Sequence, residues 1–266
     1  MNDFLALDAP IIGMVHLPAL PGAPEFAGDR DALRERALSD ATALESGGVD
    51  AVMVENFGDV PFYPDGVPKH TVASMTALVG AVSEAVSVPV GVNVLRNDAE
   101  AALSVAAATG ASFVRVNVHT GARVTDQGVV TGRAHETVRL RERLDADVAV
   151  LADVDVKHSA PVTPRETDEV VAETLERGLA DGVVVSGVGT GEAVDREGLR
   201  DVVARRDELG LDAPVVVGSG TTVESVADLL AVADGAIVGT ALKSGEETTN
   251  PVDESRVREL VEAGQS

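Results

Sequence analysis

The chain has 266 residues, 45% of them hydrophobic, which suits one large α/β domain or two small ones and is ample for a core. Its formal net charge is −23, from 44 acidic against 21 basic residues, so nucleic acid and anionic membrane are poor partners. The absence of cysteine excludes a disulfide frame, a thiolate metal site and a Cys nucleophile.

The basic residues are 18 Arg and only 3 Lys. Acid-rich, Lys-poor composition is expected of a halophilic protein kept soluble in molar cytoplasmic salt, where screening removes self-repulsion. Five Phe, one Tyr and no Trp leave Val, Ala and Leu to build the core. The opening "MNDFLALDAP" lacks the basic region and apolar run of a signal peptide. No stretch reaches the roughly 18 apolar residues of a membrane span, and the expected location is the cytoplasm.

Eight strand-like runs follow one another, each with a helix-like stretch behind it. "IIGMVHL" (11–17) precedes apolar helical periodicity near 30–46, and "AVMVEN" (51–56) precedes 71–86. "PVGVNV" (89–94) leads to 98–109 and "FVRVNVH" (113–119) to 134–144. "VAVLADVDVKH" (148–158) comes before 165–178, and "GVVVSG" (182–187) before 195–209. "PVVVGSG" (214–220) precedes 223–232, and "GAIVGTAL" (235–242) precedes 253–263. Capping signals mark helix starts at Thr163–Glu166, Thr221–Glu224 and Asn250–Asp253, while "ESGGVD" and "ERGLAD" close helices with glycine. Eight such units in about 250 residues predict a single (β/α)₈ TIM barrel over 1–266. A doubly wound open sheet is the alternative, but no G-x-G-x-x-G follows the first strand.

Barrel enzymes carry their chemistry at the C-terminal strand ends. All three lysines (Lys69, Lys157, Lys243) and all five histidines (His16, His70, His119, His135, His158) fall at strand ends or in the segments just after them. Strand alternation places Asp153, Asp155 and Lys157 on one face of the fifth strand and Arg115, Asn117 and His119 on one face of the fourth. These faces should meet inside the barrel, where buried charges need partners. Glu55 and Asn93 end the second and third strands. A carboxylate there can act as general base, and Lys157 as an electrophilic partner. Asp153, Asp155, Glu55, His16 and His119 also leave room for a divalent metal, although no compact ligand motif exists.

The last three strands end differently, in "SGVGTG" (186–191), "GSGTT" (218–222) and "GTALK" (239–243). Small residues let backbone amides approach an anion, and a following helix adds its dipole. Gly187, Gly218, Ser219, Gly220, Gly239 and Thr240 therefore read as a phosphate site, with Asn93, Arg115, Lys69 and Ser186 as further substrate contacts.

"GMVHLPALPGAPEFAG" (13–28) and "VMVENFGDVPFYPDGVPKHTVASM" (52–75) resemble the opening blocks of the BtpA/SgcQ family. "GVNVLRND" (91–98), "FVRVNVHTGARVTDQGVVTG" (113–132), "LADVDVKHS" (151–159) and "VVVSGVGTGEAVD" (183–195) match its later pattern. The resemblance implies a phosphate-binding TIM barrel without a settled reaction; the name-giving member is linked to photosystem I biogenesis. Four of the six aromatics (Phe26, Phe57, Phe62, Tyr63) lie in the two marked loops, as a lid or as a plug.

The expected function is an enzyme acting on a small phosphorylated metabolite, a sugar phosphate or a nucleoside-derived one, by isomerase- or lyase-like proton transfer. His16, Glu55, Asn117, His119, Asp153, Asp155 and Lys157 carry the chemistry. A metal-dependent hydrolase and a non-catalytic assembly or regulatory factor are the alternatives, and homo-oligomer formation stays open.

Overall fold

A computed structural model of the chain describes residues 4, 7–155, 159–187 and 195–265. β1 (Ile11–His16) leads through a long loop to α1 (Arg30–Gly47), and β2 (Ala51–Glu55), α2 (Lys69–Ala85), β3 (Val90–Asn93), α3 (Ala99–Thr109) and β4 (Phe113–Val116) follow. A hairpin of β5 (Ala122–Thr125) and β6 (Gly128–Thr131) precedes α4 (Ala134–Arg143). Next come β7 (Ala149–Asp155), the short β8 (Ser159–Pro161) and α5 (Thr167–Ala172), which continues as a π turn at Glu173–Arg177. β9 (Gly182–Val185), α6 (Arg196–Glu208), β10 (Val215–Val217), α7 (Val226–Leu230), β11 (Gly235–Val238) and α8 (Glu254–Gly264) complete the chain.

β1, β2, β3, β4, β7, β9, β10 and β11 pair in that order, all parallel, and β11 returns to β1 in the register Ile12↔Ile237. The molecule is a TIM barrel. Strand side chains alternate, so each strand sends one set inward and the other outward to the helices. The outward valines and leucines join the helix faces in one large cluster. The inward set is apolar in the lower layers: Ile12, Met14, Ala51, Met53, Phe113, Leu151, Val184, Val216 and Ile237 fill the interior. Phe113 lies against β3 at Gly91, where a Cβ would fall 2.1 Å from its ring. Phe4 stacks on Phe113 from below (centroids 4.0 Å apart), so its ring plugs the base.

Three aspartates repeat one job at that base. Asp50, Asp181 and Asp234 lead into β2, β9 and β11, and accept the amides of Ile11 (2.8 Å), Val150 (2.7 Å) and Val215 (2.8 Å) on the neighbouring strands. Each ties the foot of one strand to the next.

The expected eight strand–helix units are all present, with differences at their ends. Thr163 does not cap α5, whose N-cap is Glu166 with no side-chain bond. Ser225, not Thr221, precedes α7, and Asp253 caps α8 by accepting the Ser255 amide. Gly48 closes α1 in the left-handed conformation as predicted, whereas Leu179 rather than Gly178 takes positive φ after the π turn. The unpredicted element is a three-stranded antiparallel sheet, β6-β5-β8, built from the loops after β4 and β7. It leans on the barrel through Val118 and Val130 and leaves Val124, Val129 and Val162 about half exposed or more (48%, 61% and 55%). Among the described residues no helix is long and apolar enough to cross a membrane.

Candidate active site

The top inward layer of the barrel is polar where the lower layers are apolar. It holds His16, Glu55, Asn93, Arg115, Asp153 and Ser186, one from each of six successive strand ends, closed by Gly218 and Gly239 after β10 and β11. Arg115 and Asp153 are both buried, and their side chains form a two-pronged pair: Nε donates to Oδ1 at 2.8 Å and one Nη to Oδ2 at 2.9 Å. That Nη also reaches Ser186 Oγ at 3.2 Å. Burial alone would weaken the guanidinium's hold on its proton, but the Asp153 charge and hydrogen bonds, with Glu55 adding to them, raise Arg115 above its ordinary value. Asn117 Nδ2 donates to Asp153 Oδ2 at 3.1 Å, and Asn93 Nδ2 donates to the Arg115 carbonyl and to Asn117 Oδ1 (2.9 and 3.2 Å). Asp153 is thus committed to holding Arg115 and Asn117.

His16 and Glu55 face each other across β1 and β2 as register partners, Nε2 to Oε1 at 3.8 Å. The His16 ring lies 4.8 Å from Phe57 on one side. On another it rests against Gly239, where a Cβ would come within 2.7 Å of it. Beside this pair opens a cavity of about 120 Å³, lined by His16, Glu55, Phe57, Arg115 and the segments 218–222 and 239–241. Two hydroxyls on its wall, Ser219 Oγ and Thr221 Oγ1, are buried with no hydrogen-bond partner among the described residues. A Cβ on Gly218 would meet Ser186 Oγ at 2.4 Å, so glycine lets this segment close onto Arg115 and Ser186. Gly187 is buried just past Ser186. The helix dipole expected behind these loops is not supplied: α7 is a five-residue helix starting at Val226, and Thr240–Leu242 is a 3₁₀ turn. A second cavity, about 370 Å³, lies beyond the Arg115–Asp153 pair, between Asn117, Asp153, Ser186 and the hairpin residues Gly121–Arg123.

Two expected site residues and one expected rim lysine stand elsewhere. His119 does not join Arg115 and Asn117, because β4 ends at Val116 and alternation lapses with it. It is buried against the π turn, its Nε2 donating to the Gly178 carbonyl at 2.9 Å, and burial lowers its pKa against that bond. Lys69 opens α2 on an exposed groove near Asp65 and Asn97, apart from the mouth. Lys243, expected on the rim, is fully buried. Asp155 closes β7 after a register shift, in which Asp153 pairs with Val184 and Asp155 with Val185. Its side chain, with Lys157 and His158, lies outside the described residues. Among the described residues no three His, Asp or Glu groups converge as metal ligands. For His119, replacement by Ala should cost about 1–3 kcal/mol of stability through the bond and packing it loses. Ligand binding at the mouth should stay unchanged, which thermal denaturation and phosphate titration of the same variant would check.

Arg96 is a site-side residue absent from the expected set. It is buried beyond β3, and desolvation lowers its pKa while Asp153, Asp126 and Glu55 pull it back up. Asp59 is another, and it works with Asn56, the residue that ends the second strand-like run beside Glu55. Asn56 Oδ1 accepts the Leu95 amide (2.7 Å) and its Nδ2 donates to Asp59 Oδ2 (3.1 Å), while Asp59 Oδ1 accepts the Leu20 amide (2.7 Å). The loops after β1, β2 and β3 are thereby stitched together, and burial raises the Asp59 pKa against those bonds.

The architecture defines a TIM barrel with a closed polar mouth, and similarity to known proteins assigns it further. The BtpA family's profile matches residues 7–266, and the chain belongs to the BtpA family. It is 50% identical over 253 residues to an uncharacterized protein of Thermococcus kodakarensis, covering 95% of this chain and 94% of that one. To the Photosystem I biogenesis protein BtpA of Synechocystis it is 44% identical over 258 residues, 96% and 87% of the two chains. Among solved structures, a tryptophan synthase chain from M. tuberculosis superposes with a TM-score of 0.60 at 20% identity, covering 97% of this chain and 94% of that chain. The N-(5'-phosphoribosyl)anthranilate isomerase of Pyrococcus furiosus gives 0.55 at 14% identity, covering 97% and 98%. At that identity the likeness is one of fold.

Proposed function

We propose that the chain is an enzyme that seats the phosphate of a small phosphorylated metabolite after β10 and β11 and transfers a proton beside a carbonyl, in an isomerase- or lyase-like reaction. The observation that carries this reading is a pair of buried hydroxyls without a partner among the described residues, Ser219 Oγ and Thr221 Oγ1, in a glycine-rich wall next to Arg115. Buried polar groups cost free energy without partners, so such a wall is built for a ligand that supplies acceptors. Arg115 brings the cation, partly offset by Asp153, which holds it in place. Segments 218–220 and 239–240 shape the seat. His16 and Glu55 then stand at the seat's edge as the proton-transferring pair, screened by Phe57. Asn93, Asn117 and Ser186 orient the polar layer. Proximity of a phosphate seat to an acid–base pair is the arrangement a phosphorylated carbonyl compound requires.

A thermal-shift screen of phosphorylated metabolites in high salt tests the reading, since a ligand bound only by the folded state raises its stability. A hit should be consumed by the wild type, and Glu55→Gln should slow that turnover roughly 10²–10⁴-fold. No shift with any phosphorylated compound would overturn the proposal. It would favour instead an assembly factor, for which the exposed valines of the three-stranded sheet are the available surface.

A further inference from the structure

Lys243 is the most completely buried charge in the described structure, and the acid–base chemistry above makes no use of it. Its side chain is 0% exposed, in a chain that carries only three lysines. The last position at which β11 pairs with β1 is Val238↔Gly13. One residue further, β11 turns away to form Gly239 and Thr240, and the ladder stops. Lys243 Nζ donates to the Met14 carbonyl at 2.9 Å, at the point where β11 has left. Met14 itself lines the phosphate cavity, so the ammonium stands one peptide group behind its wall. The Lys243 amide also donates to the Thr240 carbonyl at 3.0 Å, closing the turn that carries the cavity's second arm.

The counter-charge is shared. Asp40 Oδ2, on α1, lies 3.6 Å from Lys243 Nζ and accepts from Arg36 Nε at 2.9 Å, while its Oδ1 accepts the Val252 amide. Two cations on one carboxylate leave a net positive charge behind the cavity. We propose that Lys243 is a positioning residue of the phosphate seat: it replaces the strand bond that β11 gives up, holds the Gly239–Thr240 arm in shape, and sets a buried positive charge behind it.

This inference rests on the phosphate reading. Its test uses inorganic phosphate as the probe, titrated calorimetrically into the intact chain in high salt between pH 7.5 and 9.5. Burial pushes the Lys243 ammonium down to about 8, against the pull of Asp40. Other charged groups on the packed elements are Arg36 on α1, Glu246 in the loop before α8, and Asp253 and Arg256 at α8. His16 lines the same cavity, so the part of the pH-dependent change in affinity that Lys243→Met abolishes is the part that reports Lys243. Wild-type affinity should fall about tenfold as the pH rises, the size of one charge-assisted interaction. Lys243→Met should bind about tenfold more weakly at pH 7.5 and show no such fall. Asp40→Asn keeps the lysine but removes its counter-charge, so the fall should move to lower pH even if the methionine variant is poorly folded. Equal affinity and an unchanged pH profile in both variants would overturn the role of Lys243 and leave the phosphate seat standing. Absence of phosphate binding by the wild type would overturn both.

Discussion

Replacing Arg115 by Met should lower stability by about 3–5 kcal/mol and abolish phosphate binding, because Asp153 is then left charged and buried without its partner. For a chain of this length that corresponds to a fall of roughly 10 °C in the thermal midpoint. Asp153 is 6% exposed, its carboxylate takes both prongs of the guanidinium, and among the described residues the Asn117 amide bond would be what remains to it. The double variant Arg115→Met, Asp153→Leu should recover much of the stability, since matched apolar residues replace a buried pair at little cost. It should not recover binding. Thermal denaturation and phosphate titration of the three proteins separate the two roles, and a double variant that binds phosphate normally would remove Arg115 from the seat.

Moving the protein from 2 M KCl to 0.1 M should also be costly. At high salt the Debye length is about 3 Å or less, and at 0.1 M it is about 10 Å, long enough for surface carboxylates to repel across several residues. With 44 acids against 21 bases, more than half of those carboxylates have no base of their own, and surface pairs such as Arg133–Asp65 are each worth about 1 kcal/mol at most. The expected fall in thermal midpoint is again roughly 10 °C, equal to about 3–5 kcal/mol at this size. A midpoint independent of salt would show that the acidic surface is tolerated without molar salt.

Much of the architecture is legible in the chain because inward and outward residues alternate on strands that the barrel must bury on both faces. The eight apolar runs place the strands, and the polar residues within or at the end of the first five runs include His16, Glu55, Asn93, Arg115 and Asp153, which form one layer. The reading breaks where strand pairing breaks. His119 lies three residues past the end of β4, and the shift between Asp153 and Asp155 is decided by β9, a partner that no local pattern reveals. The hairpin β5–β6 has local signs in "ARVTDQGVVT", but its pairing with β8 joins loops 36 residues apart or nearly so, as in the Arg123–Ser159 bond. Lys243 is misread for another reason: charge is expected at the surface, and only the departure of β11 from β1 creates an interior acceptor for it. Thr221 looks like a helix cap in sequence, and because α7 starts later its hydroxyl is left for the cavity.

The stitching of the first three loops bears on how a ligand gets in and out. Asn56 and Asp59 bind the segments after β1, β2 and β3 into a single body, with the Arg96 amide further tied to the Tyr63 carbonyl. Spreading those loops would break several shielded bonds at once, so that half of the rim is a wall, and the aromatic residues Phe57 and Tyr63 ride on it. The opposite half carries the β6-β5-β8 sheet, packed through Val118 and Val130, tied to the loop after β3 by the Asn97–Val118 bonds (2.7 and 2.9 Å) and facing the larger cavity. For any ligand that enters the mouth, the half of the rim after β1, β2 and β3 is therefore a fixed wall, and a label placed on it should report no displacement when one binds.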